Sequence, residues 1–598
     1  MRSSGFTTGE PRWARSAPVG KGSALSGIAR WIGWAVAFVI SVDLVRWWRP
    51  SVLFGPDRTW WRLWLLIWAG SVAAVALAGF VSARLFRAFG ESRLAKAPLG
   101  PFPLGRSGFL AAAALVAGIA LRAVSLSNPP PQYLDEASLI APALSLQGSI
   151  ADFRHPLRAA PYGMPKPAGT VGVLYLEAFR WALSAWGPTP FGIRFLSVLG
   201  GCASLVTGVL LARALLPQGG ASLAALALSG LRWHLIMSQW GWVSVVVIPF
   251  IDVATLLLVR ARARRSRRAA LAAGLVLGLG AHVYLTAWVA LGALVLFEFW
   301  PVADGEPLPK RAVSASLFGA GFAVAVLPLF ALGGPADPPY FARVESHNVL
   351  REIRDQRSPM PFLAATADAL KAPWFVPEPL AWADLPSRSR LGWILGIAVA
   401  VAFARSLARP RDALSALLLS HAAAGLAAAV AYGELAHPNG YRFAYLTSLS
   451  ALAVSAGSLA LFGAVPPERR RLAALTAVLL LAFAGARGAA DACAAWPAAR
   501  TTFDAFNGHE TLTAEAILRW RTYGSVSIET PAGVSVVQSL VAQPRFLIPS
   551  PDPAGTAAGR SFRVAAAGDR GRPGERCVEH VQDPWGREWA TVWGRRSR

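Results

Sequence analysis

Apolar runs separated by short polar breaks set the pattern of this chain. Thirteen of them lie near 28–46, 61–83, 108–126, 194–215, 220–237, 240–259, 269–285, 286–301, 312–333, 391–407, 412–432, 442–463 and 471–489. About 20 apolar residues, rising about 1.5 Å each, cross a hydrocarbon layer of about 30 Å, so each run predicts a membrane-spanning helix. Three long segments interrupt the pattern: 127–193, 334–390 and 490–598. In the first, Ala137, Ile140 and Leu144 recur at helical spacing among Glu136, Ser138, Ser145 and Gln147, which predicts a short helix lying in the interface. Gly148 is its stop, and Pro142 should kink it. "VLYLEAFRWALSAWG" predicts a second surface-lying or re-entrant helix. In the second segment, Phe341, Val344 and Asn348 predict a surface helix that either covers a site or is plainly solvated. The last segment changes character. "GHETLTAEAILRWRTYG" predicts a capped helix, and "SVSIET", "GVSVVQSLVA", "SFRVAAA" and "CVEHVQ" predict short strands between Gly/Pro turns. The closing "GRRSR" reads as loose.

The expected architecture is therefore an all-α polytopic membrane protein with about thirteen transmembrane helices, extracytoplasmic loop helices and a small C-terminal α/β domain. Its divisions are a disordered tail at 1–27, two additional spans and a basic loop at 28–107, a core at 108–490 and the C-terminal domain at 491–598. Composition agrees: of 598 residues, 54% are hydrophobic and only 15% charged. The net charge of +25 comes from short loops between apolar runs rather than from a basic stripe with interleaved aromatics, so nucleic acid is not an expected partner. "RARARRSRR" at 260–268 carries six arginines and fixes the cytoplasmic side. Counting spans from it places Lys310 and Arg311, "ARSLARPRD", "PPERRRL" and residues 84–107 on that same side. Segment 46–62 is the exception; its four tryptophans read as an interfacial belt. The N-terminus is then cytoplasmic, the three long segments lie outside, and the expected location is the inner or plasma membrane.

Cys202, Cys493 and Cys577 are far apart in sequence, and whether Cys493 and Cys577 pair is left open by spacing alone. Eight histidines form no metal signature, and His155, His347 and His437 read as loop or interface residues; no metal or other cofactor is expected.

Asp135 and Glu136 stand just beyond the 108–126 run, followed by a Lys166-Pro turn and "YLEAFRWALSAWGPTPFGIRFLSVLGG". That order resembles the membrane glycosyltransferases of the GT-C type that use polyprenyl-phosphate sugars, the group of protein O-mannosyltransferases and the bacterial lipid A aminoarabinose transferase. "HLIMSQWGWVSVVVIPF", "GLVLGLGAHVYLTAWVAL" with Tyr284, "YFARVESHNVL" with Arg343, and "HPNGYRFAYL" with His437 and Arg442 are similar to further family segments, in order. The resemblance covers about 108–490, and the eleven spans of that core agree with protein O-mannosyltransferases. Ser138, Gln239 and Ala168 stand where many relatives carry arginine or proline, and the family's arginine after the Tyr284 motif is missing, with Trp288 nearby; these departures bear on phosphate binding and sugar specificity.

The resemblance implies an inverting hexosyltransferase, mannose being the default sugar. Its partners would be a polyprenyl-phosphate sugar donor, a protein, glycan or lipid acceptor, and membrane lipids. Asp135 would be the base that takes the acceptor's proton, with Glu136 sharing its load; on residues alone, Asp135 serves equally as a helix cap. Lys166 and Arg194 would hold the phosphate, or else act as a snorkelling lysine and a helix-mouth anchor. Tyr284, Arg343, His437 and Arg442 would complete the substrate pocket. A transporter or flippase would instead carry charged residues inside spans and an internal repeat, and the sequence offers little of either. A non-catalytic envelope-assembly scaffold would tolerate loss of Asp135.

Overall fold

The computed structural model describes residues 107–124, 173–187, 189–302, 306–331, 388–431, 440–505, 508–521, 525–529, 560–582 and 586–596, with a few isolated positions between them. The first two expected spans and most of 127–172 and 332–387 lie outside the described residues.

The described chain is mostly helical. Its longer helices are α1 (Ser107–Val124), α2 (Val173–Trp186), α3 (Pro190–Leu215), α4 (Gly220–Ser229), α5 (Arg232–Gln239), α6 (Ile248–Arg264), α7 (Arg267–Ala281), α8 (Thr286–Phe299), α9 (Leu308–Ala331), α10 (Gly392–Ala408), α11 (Ala413–Ala431), α12 (Thr447–Gly463), α13 (Arg470–Ala490) and α14 (Gly508–Arg521). Local sequence explains several ends. Thr189 caps α3 by accepting from the Gly192 amide, and Pro190 supplies the first-turn φ. Ser266 caps α7 in the same way, one residue after Arg265 turns left-handed to end α6.

Among the described residues, four helices are long and apolar enough to cross a membrane, or up to six if each of two bent pairs counts as one span. α1 and α8 are shorter apolar helices. Three expected spans differ in form. The run at 220–237 is broken into α4 and α5, which meet at 55°. The run at 240–259 becomes helical only at Ile248, because Pro249 suits a first turn and the preceding "WGWVSVVV" folds as turns. The run at 442–463 starts with a 3-10 stretch, Gly440–Leu446, before α12.

One apolar cluster runs through these helices; it includes Phe179 of α2, Leu205 of α3, Trp233 of α5, Phe318 of α9 and Leu452 of α12. Ile140 and Ala143, five and eight positions past Asp135 in sequence, are helical and fully buried in that same cluster. α2 follows with an aromatic patch: Trp186 packs on Phe191 and Phe195 of α3 at 5.5 and 4.1 Å between rings. Such tryptophans suit a membrane–water boundary.

Beyond α13, α14 packs on a four-stranded sheet of β1 (Ser525–Glu529), β2 (Arg560–Ala566), β3 (Arg576–Gln582) and β4 (Glu588–Arg596), ordered β1-β2-β4-β3. β1 pairs β2 in parallel and the other pairs are antiparallel. Ala516 and Ile517 of α14 close a separate core with Phe562, Val564, Val581, Ala590 and Val592. "GVSVVQSLVA" lies outside the described residues. β4 was not among the expected strands, and it extends through Arg596, so most of the supposedly loose "GRRSR" is paired.

Candidate functional site

Charged groups gather where the α4–α5 break meets the end of the 334–390 segment. Arg232 opens α5 and grips Asp384 with two parallel bonds, Nε to Oδ1 at 2.7 Å and Nη2 to Oδ2 at 3.1 Å. Nη2 also donates to the carbonyls of Arg388 and Ser389, at 3.1 and 2.7 Å. A short π-helical turn, Asp491–Ala495, follows α13 and brings Asp491 to the same place, where Arg388 Nη1 donates to both its carboxylate oxygens at 2.7 and 2.8 Å. Arg390 lies over the Trp233 ring at 5.3 Å. Two guanidinium groups and two carboxylates cancel, so this quartet attracts no anion by itself. It locks the stretch just ahead of α10 onto α5 and the end of α13. The side chains of Arg232 and Asp384 are 8% and 1% exposed, and a buried pair of this kind holds only because every polar edge is matched.

A second network sits beside the helix break. Arg122, near the end of α1, donates to the Leu228 carbonyl at 3.1 Å and the Gly118 carbonyl at 2.6 Å. The Leu228 carbonyl lies in the last turn of α4, where backbone acceptors lack an intrahelical partner. Arg122 Nη2 also donates to His234 Nδ1 at 2.6 Å. Arginine has no acceptor, so Nδ1 carries the lone pair and Nε2 the hydrogen. Nε2 then donates to Ser204 Oγ at 2.6 Å, which donates to the Gly201 carbonyl at 3.0 Å. One directed chain of hydrogen bonds thus ties α1, α3, α4 and α5 together. Further along α3, Asp252 of α6 accepts from Thr207 and from Ser448 of α12, both at 2.8 Å.

These groups correct one expectation. Charged residues do occur inside the apolar runs: Arg122, Arg232 and Asp252 are all buried. Each is matched by a neighbouring helix or loop, as polar groups in lipid must be. Averaged hydropathy hid them, although an Arg-Trp-His triplet within the 220–237 run was the signal that would have found the break.

Of the expected site residues, Arg194 lies in the second turn of α3 and is buried, and Tyr284 is buried in the turn between α7 and α8, its amide bonded to the Gly280 carbonyl. Arg442 is in the 3-10 stretch ahead of α12, and its side chain is outside the described residues. Asp135, Glu136, Lys166, Arg343 and His437 also lie outside them. Gln239 donates to Cys493 Sγ at 3.6 Å. Cys202, Cys493 and Cys577 are all free thiols, so the possible Cys493–Cys577 bridge is not formed. Among the described residues, no group of three or more His, Cys, Asp or Glu side chains is arranged to hold a metal ion.

No family model matches the chain, and no curated protein matches it. Among solved structures, the chain is similar to an Archaeoglobus fulgidus oligosaccharyltransferase tethered to an acceptor peptide, with 16% identity over 70% of this chain and a TM-score of 0.47. It spans 57% of the length of that protein. It is also similar to ArnT from Cupriavidus metallidurans bound to undecaprenyl phosphate, with 13% identity over 82% of this chain and 98% of that one, and a TM-score of 0.42. The archaeal oligosaccharyltransferase AglB in complex with an inhibitory peptide and a dolichol-phosphate shares 14% identity over 75% of this chain and 60% of that one, with a TM-score of 0.42.

Proposed function

We propose that the chain is an inverting integral-membrane glycosyltransferase that moves one sugar from a polyprenyl-phosphate donor to an acceptor hydroxyl outside the cytoplasm. Mannose is the default sugar, and the acceptor is a protein, glycan or lipid. Asp135 takes the acceptor proton while Lys166, Arg194, Arg343 and Arg442 steady the phosphate as charge builds on it. About thirteen spans hold the site at the outer surface of the inner or plasma membrane, with the C-terminal α/β domain on that same side.

One observation supports this above the others: the described residues of the 127–193 and 334–390 segments are fastened to the helical core. Ile140 and Ala143, just past Asp135 in sequence, are buried in the main apolar cluster, and the quartet around Arg232 holds Asp384, Arg388 and Ser389. Displacement at a sugar carbon needs base, phosphate and acceptor in fixed register, whereas plain linkers need no such anchoring. A transporter would use intramembrane charges to pass cargo; here Arg122, Arg232 and Asp252 are each engaged by neighbouring elements.

Purified protein incubated with several radiolabelled polyprenyl-phosphate sugars and envelope extract should transfer at least one of them. Asp135→Asn should slow transfer about 10²–10⁴-fold, the share a positioned base contributes, with an unchanged melting profile. Equal rates for both proteins would remove Asp135 as base. Transbilayer movement of a labelled lipid without any transfer would favour the transporter.

A further inference from the structure

The outward face of the C-terminal sheet carries a cysteine, a histidine and a glutamate in series. Cys577 Sγ lies 3.2 Å from His580 Nε2, and His580 Nδ1 lies 2.9 Å from Glu588 Oε1. The carboxylate can only accept, so Nδ1 bears the hydrogen and Nε2 offers its lone pair to the thiol. Glu588 is itself steadied by the Thr591 hydroxyl. The hydrogen bonds from Thr591 and then His580 hold its carboxyl below the ordinary range, keeping it ionised. Cys577 is exposed and His580 half-exposed, so a reagent has access.

The backbone is shaped for this grouping. In a regular strand, residues three apart face opposite sides. Cys577 and His580 are three apart, yet they share a face because the β3–β4 register shifts between Cys577 and Glu579, leaving Val578 as an extra residue. Glu588 and Thr591 are also three apart, and a second shift, between Val581 and Gln582, leaves Trp589 as the extra residue that restores their parity. Bulges are devices that re-aim side chains, and here two of them within one strand pair converge on one thiol. Meanwhile Glu579, on the opposite face, accepts from Arg519 and Trp520 of α14 and so pins the helix side of the strand.

We propose that Cys577 is a histidine-assisted nucleophilic thiol that undergoes exchange with a disulfide. The Cys577 proton passes to His580 Nε2, and Glu588 stabilises the resulting imidazolium. The thiolate attacks one sulfur of R–S–S–R′. A Cys577–S–S–R bond forms, the original S–S bond breaks, and R′–S⁻ leaves with the proton returned by His580. The co-reactant supplies the oxidising equivalent, so nothing else is consumed. The open sheet surface admits a small disulfide or one on a polypeptide. This chemistry is separate from sugar transfer, which Cys577→Ser should leave unchanged.

The full-length protein in detergent is treated with 5,5′-dithiobis(2-nitrobenzoate), and in parallel with a disulfide-linked peptide, and the modified residue is identified by peptide mass mapping. Cys577 should react first. Ordinary thiols are only a few per cent ionised at neutral pH, so His580→Gln should slow modification about tenfold with both reagents. Glu588→Gln should slow it less, and Glu588→Asp should recover part of the loss. Unfolding cannot imitate this result, because loosening an already exposed thiol does not make it react more slowly. Equal rates for wild type and His580→Gln, or Cys202 or Cys493 reacting ahead of Cys577, would overturn the proposal. The faster of the two reagents identifies the source of disulfide the site prefers.

Discussion

At the scale of single residues, the membrane core is held by charges that have no freedom left. Arg232 spends its donors on Asp384, on two carbonyls of the 388–389 backbone and on Asp491. Removing one partner of a buried pair leaves the other charge stranded, at a cost of about 3–5 kcal/mol. Asp384→Asn should therefore lower the thermal midpoint of the detergent-solubilised protein markedly. Asp491→Asn should cost less, because its nearer partner Arg388 is 38% exposed and water can take over. Arg232→Lys should resemble Asp384→Asn, since an ammonium cannot span both carboxylate oxygens and both carbonyls. If Asp384→Asn melted like the wild type, the quartet would be ornamental and the stretch ahead of α10 would need another anchor.

At the scale of elements, close helix contacts depend on glycine. A β-carbon on Gly274 of α7 would run into the Phe318 carbonyl of α9, and one on Gly321 of α9 would strike the Leu271 carbonyl of α7. Between lipid-facing helices, attraction comes from such close packing rather than from expelled water. Gly274→Ala should force the pair apart and cost about 1–3 kcal/mol. Gly319→Ala, on the same α9 but facing open space, should be neutral or stabilise by up to about 1 kcal/mol through helix propensity. Thermal midpoints of the two variants decide it; equal shifts would mean that the α7–α9 contact is not tight. Hydropathy located these helices because it reports which residues leave water. It missed the break at 230–231 because averaging hid the Arg232–His234 triplet, and the late start of α6 because that stretch is as apolar as a helix. Nor could it find β4, whose Trp589 sits at a bulge and spoils strict alternation. The Cys577–His580–Glu588 series was invisible for the same reason, since spacings of three predict opposite faces until the bulges are known. Of the site residues read from sequence, Arg194 and Tyr284 are placed, both buried at helix ends, while Asp135 belongs to the segments outside the described residues.

At the scale of the whole molecule, function depends on which side each end faces. The arginine-rich α6–α7 turn is exposed around Ala263, and Cys577 is exposed on the C-terminal sheet. If positive charge fixes orientation, the turn lies in the cytoplasm and the sheet outside. A membrane-impermeant maleimide should then label Cys577 in intact cells. In a Cys577→Ser background, Ala263→Cys should be labelled only after permeabilisation. The opposite pattern would put the α14 sheet, Cys577 and the Arg232 quartet at the cytoplasmic end of the bundle, away from extracytoplasmic acceptors. Labelling of both sites in intact cells would mean an uneven number of the apolar runs between them fail to cross, the point on which helix length alone is silent where the α10–α11 pair bends. The orientation also decides which disulfides Cys577 meets, because an oxidising exterior sustains them and a reducing cytosol does not.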